Sequence, residues 1–152
     1  MTISARLSEL GIELPAVAAP VASYVPAVVH GSLVYTSGQL PFTDGALPAT
    51  GKVGATVSAD DARVYARTCA LNALAAAADA AGGVDRIAGV LRVGGFVASV
   101  PDFTGQPGVI NGASEVLGEI FGDAGRHARA AVGVPVLPLD SPVEVEVTFL
   151  LA

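Results

Sequence analysis

Alternating polar and apolar positions between residues 127 and 148 predict two β-strands that close the chain. In the first strand, His127 and Arg129 point to one face, and the alternate alanines and valines point to the other. In the second, Glu144 and Glu146 share one side, and the valines around them occupy the opposite side. Because charges are unusual in strands that otherwise look buried, we expect one guanidinium and two carboxylates to face a single cleft.

The rest of the chain predicts a mixed sheet covered by helices. In chain order, the expected elements are a short helix over 2–11, a hairpin with strands 24–29 and 32–37, a surface loop over 41–54, a helix over 58–81, a strand over 90–100 and a helix after 102 that ends near 122. Ser4 and Ser58 are the expected N-caps, and Gly94-Gly95 predicts a bulge or a close backbone approach. This order predicts an α+β fold in one domain over 1–152, with two long helices on one face of the sheet and residues 1–20 forming the N-terminal helix and a connector.

The composition fits one domain and argues against a nucleic-acid partner. The chain has 152 residues, 52% hydrophobic and 14% charged, which is enough for one compact core. Its formal charge is −6 and Lys52 is its only lysine, so it offers no broad basic surface to phosphates. The mean hydropathy of +0.61 is high for a chain with so few charges. We therefore expect a homo-oligomer that buries apolar surface between subunits.

The cysteine and histidines offer no metal or disulfide framework. Cys69 is the only cysteine and lies in an alanine-rich helical pattern, which excludes an intrachain disulfide and a thiolate zinc cluster. His30 falls in a predicted turn, and it does not combine with His127 into a metal site.

The N-terminus lacks a secretory pattern, and no apolar run reaches the roughly 18 residues that span a bilayer. The expected location is cytoplasmic, without membrane association.

Arg129 is the leading candidate for ligand binding. A planar guanidinium can hold a carboxylate through two parallel hydrogen bonds, and it remains protonated even when partly buried. A nearby glutamate could then orient a water molecule. The alternative from spacing alone is that Arg129 and a glutamate form a cross-strand ion pair with no further role.

Several short motifs, taken in order, resemble the RidA or YjgF-like family. They are Tyr24, TSGQLP at 36–41, Asn111, ARAAV at 128–132, LP at 137–138 and VEVE at 143–146. The runs GFVASVPDF and GRHARAAVGV are similar to a divergent subgroup that is labelled an endoribonuclease of the L-PSP type. The resemblance implies a chorismate mutase-like fold, a trimer and a pocket between subunits.

The resemblance also implies an activity and its residues. Catalytically competent relatives hydrolyse 2-imino or 2-enamino acids to 2-keto acids and ammonia without a metal or organic cofactor. Arg129 matches the arginine that binds the substrate carboxylate, and Glu146 matches the glutamate that positions water. The matching substrate-binding positions are Tyr24, Ser37, Gly38, Asn111 and the backbone of Ala131, where many relatives have cysteine.

His127 stands where ordinary relatives often have proline. It could transfer a proton or alter substrate choice, or it could be an interface histidine bonded to a backbone carbonyl. Two other functions stay open: a regulatory protein that binds a small carboxylate without consuming it, and an L-PSP-type endoribonuclease. The second is hard to reconcile with one lysine and two dissimilar histidines.

Overall fold

The computed structural model describes residues 1–17 and 23–152. The predicted connector, which extends to residue 20, therefore lies partly outside the described residues. The helices are α1 (Ile3–Glu9), α2 (Ala59–Ala81) and α3 (Gln106–Phe121), and the strands are β1 (Ala27–His30), β2 (Leu33–Thr36), β3 (Ile87–Ala98), β4 (Ala128–Val134) and β5 (Val143–Leu151). Short 3-10 turns at Val84–Arg86, Gly122–Gly125 and Pro138–Asp140 join some of these elements.

The five strands form one mixed sheet in the order β1-β2-β5-β3-β4. Only β3 and β4 run parallel, because α3 connects them as a crossover, whereas the other neighbours are antiparallel. The predicted α+β class, with a mixed sheet and two long helices on one face, is confirmed. In this order β4 lies at an edge of the sheet, and it follows α3 and the turn at Gly122–Gly125.

The two long helices form the layer that covers one face of the sheet. Ser58 caps α2 through a hydrogen bond from the amide of Asp61 to its Oγ, and Gly82 ends the helix in a left-handed conformation. The inner face of α2 is mostly alanine, which lets α3 approach closely. At the closest point, a Cβ added to Gly112 would lie 1.9 Å from the carbonyl oxygen of Arg63. The core between helices and sheet includes the fully buried Phe149.

The predicted N-cap of α1 and the predicted starts of two strands need correction. Thr2 caps α1, while the amide and hydroxyl of Ser4 donate to the carboxylate of Asp85 at 2.7 and 2.8 Å. The first strand of the hairpin begins at Ala27 and β3 begins at Ile87, so the first starts later and the second earlier than predicted. The register shifts of β3 lie between residues 87 and 92, and not at the double glycine.

The double glycine in β3 instead allows close approach, which was the other predicted reading. A Cβ on Gly94 would lie 2.8 Å from Cγ of Glu146, and one on Gly95 would lie 2.5 Å from Cδ1 of Ile110. Each glycine therefore makes room on one face of the sheet for a side chain that a larger residue would displace.

Within residues 1–17 and 23–152, no helix covers the second face of the sheet. Strand pairing places Val28 and Tyr35 on this open face, and both are about half exposed. Val132 of the edge strand also lies there and is 44% exposed.

In the part of the chain that the structure describes, no helix is both long and apolar enough to cross a membrane.

Candidate functional site

Arg129 and Glu146 lie on opposite faces of the sheet. Arg129 pairs with Val93 of β3, which in turn pairs with Val147, so all three face the helices. Glu146 pairs with Gly94 and therefore points to the open face. The predicted cleft that gathers the guanidinium and the glutamates is therefore not formed within one chain, because the register of β4 against β3 and of β3 against β5 places them on different faces.

Arg129 is held by α3 through three neutral oxygen atoms. Its Nη1 donates to Oδ1 of Asn111 at 2.8 Å and to Oγ of Ser114 at 3.1 Å, and its Nη2 donates to the carbonyl of Pro107 at 3.1 Å. Residues 107, 111 and 114 recur at helical spacing, so they form one stripe beside the edge strand. The stripe fixes the guanidinium without neutralising it.

No carboxylate pairs with Arg129 among residues 1–17 and 23–152. Five other cations do pair with acids: Arg6, Lys52, Arg63, Arg67 and Arg126. The alternative that Arg129 forms a cross-strand ion pair with a glutamate is therefore wrong within the chain. A guanidinium has five N–H donors, and three are used here, so Nε–H and one Nη2–H are left for a ligand.

His127 joins the same network from the start of β4. Its Nδ1 lies 2.6 Å from the carbonyl oxygen of Gly125, and its Nε2 lies 2.8 Å from Oγ of Ser114. Ser114 therefore contacts both His127 and Arg129. The predicted backbone-carbonyl partner of His127 is present, and we name Asn111, Ser114, His127 and Arg129 the edge cluster.

Ser114 and Pro107 were missed by the sequence analysis. A signal was present, since the positions 107, 111, 114 and 118 follow helical spacing beside the apolar stripe of α3 and carry small or polar residues. Asn111 was predicted to bind substrate, but its carbonyl oxygen is occupied by Arg129. An open depression of about 330 Å³ adjoins this cluster and is lined by Ser114, His127 and Arg126 together with three glycines.

Glu144 and Glu146 form a second group, the open-face cluster, with Gly38. The carboxylate of Glu144 lies so close to Gly38 that an added Cβ would be 1.8 Å from its Oε1. Partial burial, and then the charge of Glu146, raise the pKa of Glu144. Glu146 lines a cavity of about 120 Å³ together with Arg92 and polar side chains of β2 and β5. The two carboxylates of Glu144 and Glu146 therefore face away from the helices.

The other predicted site residues are spread around these clusters. Ser37 follows β2, and its hydroxyl donates to the carbonyl of Val25 at 2.6 Å, which ties it to the segment that carries the exposed Tyr24. Ala131 pairs with Gly95 on the helix-facing side of β4 and packs against the core. Burial raises the pKa of the Cys69 thiol well above its usual value, so this cysteine is unsuited to nucleophilic attack.

The described residues contain no group of three or more histidine, cysteine, aspartate or glutamate side chains that could hold a metal ion.

Comparisons with known proteins point to one family. The family model described as "YjgF/chorismate mutase-like, putative endoribonuclease" matches residues 4–151. Protein TCP17 of Trypanosoma cruzi is 43% identical over 145 residues, which are 95% of this chain and 91% of that protein. The crystal structure of Atu1372 from Agrobacterium tumefaciens is 44% identical, covers 99% of this chain and 92% of its own, and superposes with a TM-score of 0.90. The structure of Escherichia coli TdcF with bound serine is 27% identical, with coverage of 90% and 94% and a TM-score of 0.64.

Proposed function

The chain belongs to the YjgF/chorismate mutase-like family, and from this premise we propose that it hydrolyses small 2-imino or 2-enamino acids to 2-keto acids and ammonia. The observation that carries the proposal is Arg129, a partly exposed cation that α3 fixes through neutral acceptors. A cation without an acid partner is a prepared binding point for the carboxylate of such a substrate.

The pocket of the proposed enzyme lies between two copies of the chain. Arg129 belongs to the edge cluster and Glu146 to the open-face cluster, on opposite sides of the sheet. A second copy that covers the open face, with its exposed Val28 and Val132, could bring its own edge cluster toward Glu146. A closed ring of three such contacts is the proposed assembly, because every subunit then supplies both halves of a site.

The main contribution of the protein to this reaction is to position the substrate and a water molecule. Water adds its oxygen to the imine carbon, the carbon–nitrogen bond then breaks, and the nitrogen leaves as ammonia while the carbon becomes a ketone. Arg129 would fix the substrate carboxylate, and Glu146 would orient the attacking water and pass its proton on. An enamine would first take up a proton on carbon to give the imine. This chemistry needs no metal or organic cofactor.

The relative with bound serine supports a carboxylate ligand. Serine carries the carboxylate and the adjacent nitrogen-bearing carbon that a 2-imino acid also has. Gly38, Ser37 and Tyr24 are proposed to contact the remainder of the substrate, together with the backbone of Ala131.

The direct test is hydrolysis of 2-iminopropionate, generated in the assay from alanine by an amino acid oxidase. We expect the wild type to release ammonia faster than the spontaneous background and Arg129→Ala to lose most of this acceleration. Arg86→Ala removes an exposed arginine outside both clusters and is the matched control for charge. Equal rates for wild type and Arg129→Ala would contradict the proposal.

A regulatory protein that binds a stable 2-keto acid is the second candidate, because the same unpaired guanidinium would serve it. Calorimetric binding of pyruvate without imine turnover would favour this candidate.

RNA cleavage, which the family description names, is not proposed for this chain, since five of its eight lysines and arginines are paired with acids.

A further inference from the structure

One set of hydrogen-bond directions satisfies the most groups around His127. The carbonyl oxygen of Gly125 can only accept, so Nδ1 of His127, 2.6 Å away, must carry a proton. In a neutral imidazole Nε2 is then an acceptor, and the hydroxyl of Ser114 at 2.8 Å must donate to it. The same hydroxyl oxygen uses a lone pair to accept from Nη1 of Arg129 at 3.1 Å.

If His127 instead donates to Ser114, fewer hydrogen-bonding groups find a partner. If Nε2 of His127 also carried a proton, two cationic side chains would donate to the single oxygen of Ser114. The hydroxyl hydrogen would then have to leave His127 for another acceptor. A neutral His127 with the proton on Nδ1 therefore fits the contacts best, and the donor chain runs from Arg129 through Ser114 to His127.

These hydrogen bonds leave one edge of the Arg129 guanidinium, the edge that carries Nε–H, available to a ligand. Asn111 and Ser114 both accept from Nη1, and Pro107 accepts from Nη2. Among the described residues Nε–H has no acceptor, and it lies on the same edge of the planar group as one Nη2–H. They match the two oxygens of one carboxylate, whereas a carboxamide offers that edge only one acceptor.

We propose that Ser114 and His127 are positioning residues that hold Arg129 with this edge free and so make the site selective for carboxylates over carboxamides. The inference rests on the proposed function of Arg129 but adds residues that neither the motif match nor that function assigns as binding Arg129. Neither side chain needs to touch the substrate.

The test compares the binding of pyruvate and pyruvamide by calorimetry. Ser114→Ala removes the acceptor from Nη1, and we expect about a five-fold weaker affinity for pyruvate, which is the value of one hydrogen bond. Its affinity for pyruvamide should change little, so that the selectivity for the carboxylate falls. Ser114→Thr retains the hydroxyl and should restore both the affinity and the selectivity.

Two substitutions of His127 form a matched pair. Gln can place an acceptor near the position of Nε2, whereas Asn reaches only the position of Nδ1. We expect His127→Gln to stay close to wild type and His127→Asn to lose selectivity in the same direction as Ser114→Ala. His30→Ala, at the exposed end of β1, is the control. The melting temperature of each variant identifies a loss that is due to unfolding.

The outcomes separate the two proposals. If Arg129→Ala binds pyruvate as well as wild type does, or wild type does not bind pyruvate, the site of the proposed function and this inference both fail. If Arg129→Ala loses binding while Ser114→Ala and His127→Asn keep wild-type affinity and selectivity, only the inference fails. Pyruvate binding without imine hydrolysis overturns the proposed activity and leaves the positioning role supported by the variants.

Discussion

Arg129 and Glu146 are two strands apart in the sheet and point in opposite directions. β3 lies between them, with Val93 beside Arg129 on the helix-facing side and Gly94 beside Glu146 on the open side. The sheet itself therefore separates the cation from the carboxylate in each chain. In the proposed function, a substrate that contacts both groups is bound between two copies, one of which contributes its edge cluster and the other its open face.

Subunit mixing tests this separation. Arg129→Ala and Glu146→Gln should each be inactive alone, because every pocket lacks one of its two groups. When the two variants are refolded together, a pocket that takes Arg129 from one subunit and Glu146 from the next is intact with a chance of about one quarter in a closed ring. We expect the mixture to recover about that share of wild-type imine hydrolysis. Activity no higher than the two separate variants would show that one chain supplies both groups.

The contact between α2 and α3 predicts opposite effects at two glycines of α3. Gly112→Ala would place a Cβ 1.9 Å from the carbonyl oxygen of Arg63, so the helices must move apart. We expect a loss of about 1–3 kcal/mol in the free energy of unfolding, as for other overpacked sites. Gly118 has no atom within 4 Å of an added Cβ, and Gly118→Ala should stabilise the helix by about 0.5–1 kcal/mol.

Urea unfolding followed by circular dichroism measures both changes. The two substitutions add the same methyl group to the same helix, so helix propensity alone would stabilise both variants. A Gly112→Ala variant that is as stable as Gly118→Ala would show that the close approach of the helices does not limit residue size.

Glu144 predicts a dependence of stability on pH. Burial and the charge of Glu146 raise its pKa above the ordinary value of 4.5, so the folded state favours the protonated carboxyl. The resulting stabilisation is fully present below pH 4.5 and is lost as the pH rises through the raised pKa. Glu144→Gln stays neutral at every pH, and its stability relative to wild type should therefore rise from pH 4.5 toward neutrality and then level off.

Calorimetric melting of both proteins across this pH range provides the measurement. Glu13→Gln, which removes an exposed carboxylate outside both clusters, is the control for loss of one negative charge. A stability difference between wild type and Glu144→Gln that does not change with pH, or that falls as the pH rises, would contradict the assignment.

The candidate site was only partly predictable, because alternation along the sequence shows which residues share a face of one strand but not which elements come into contact. Alternation correctly placed Arg129 and His127, the residue before β4, on the side of α3, and both glutamates on one side of β5. It could not show that Asn111 would accept a hydrogen bond from Arg129, or that Ser114 would join Arg129 to His127, because these contacts link α3 to β4 and the residue before it. Gly38 was selected from a motif, whereas its packing against Glu144 appeared only in three dimensions.

The sequence by itself determined the elements and the two faces of each strand, because hydrophobic periodicity, the Ser58 cap and the terminating Gly82 act over short distances along the chain. Tertiary structure decided how the faces of different strands combine. A shift of one residue in the pairing of β4 with β3 would turn Arg129 toward the open face. The parallel crossover through α3 sets that pairing, and it places the cation beside the helix and both glutamates on the far side of the sheet.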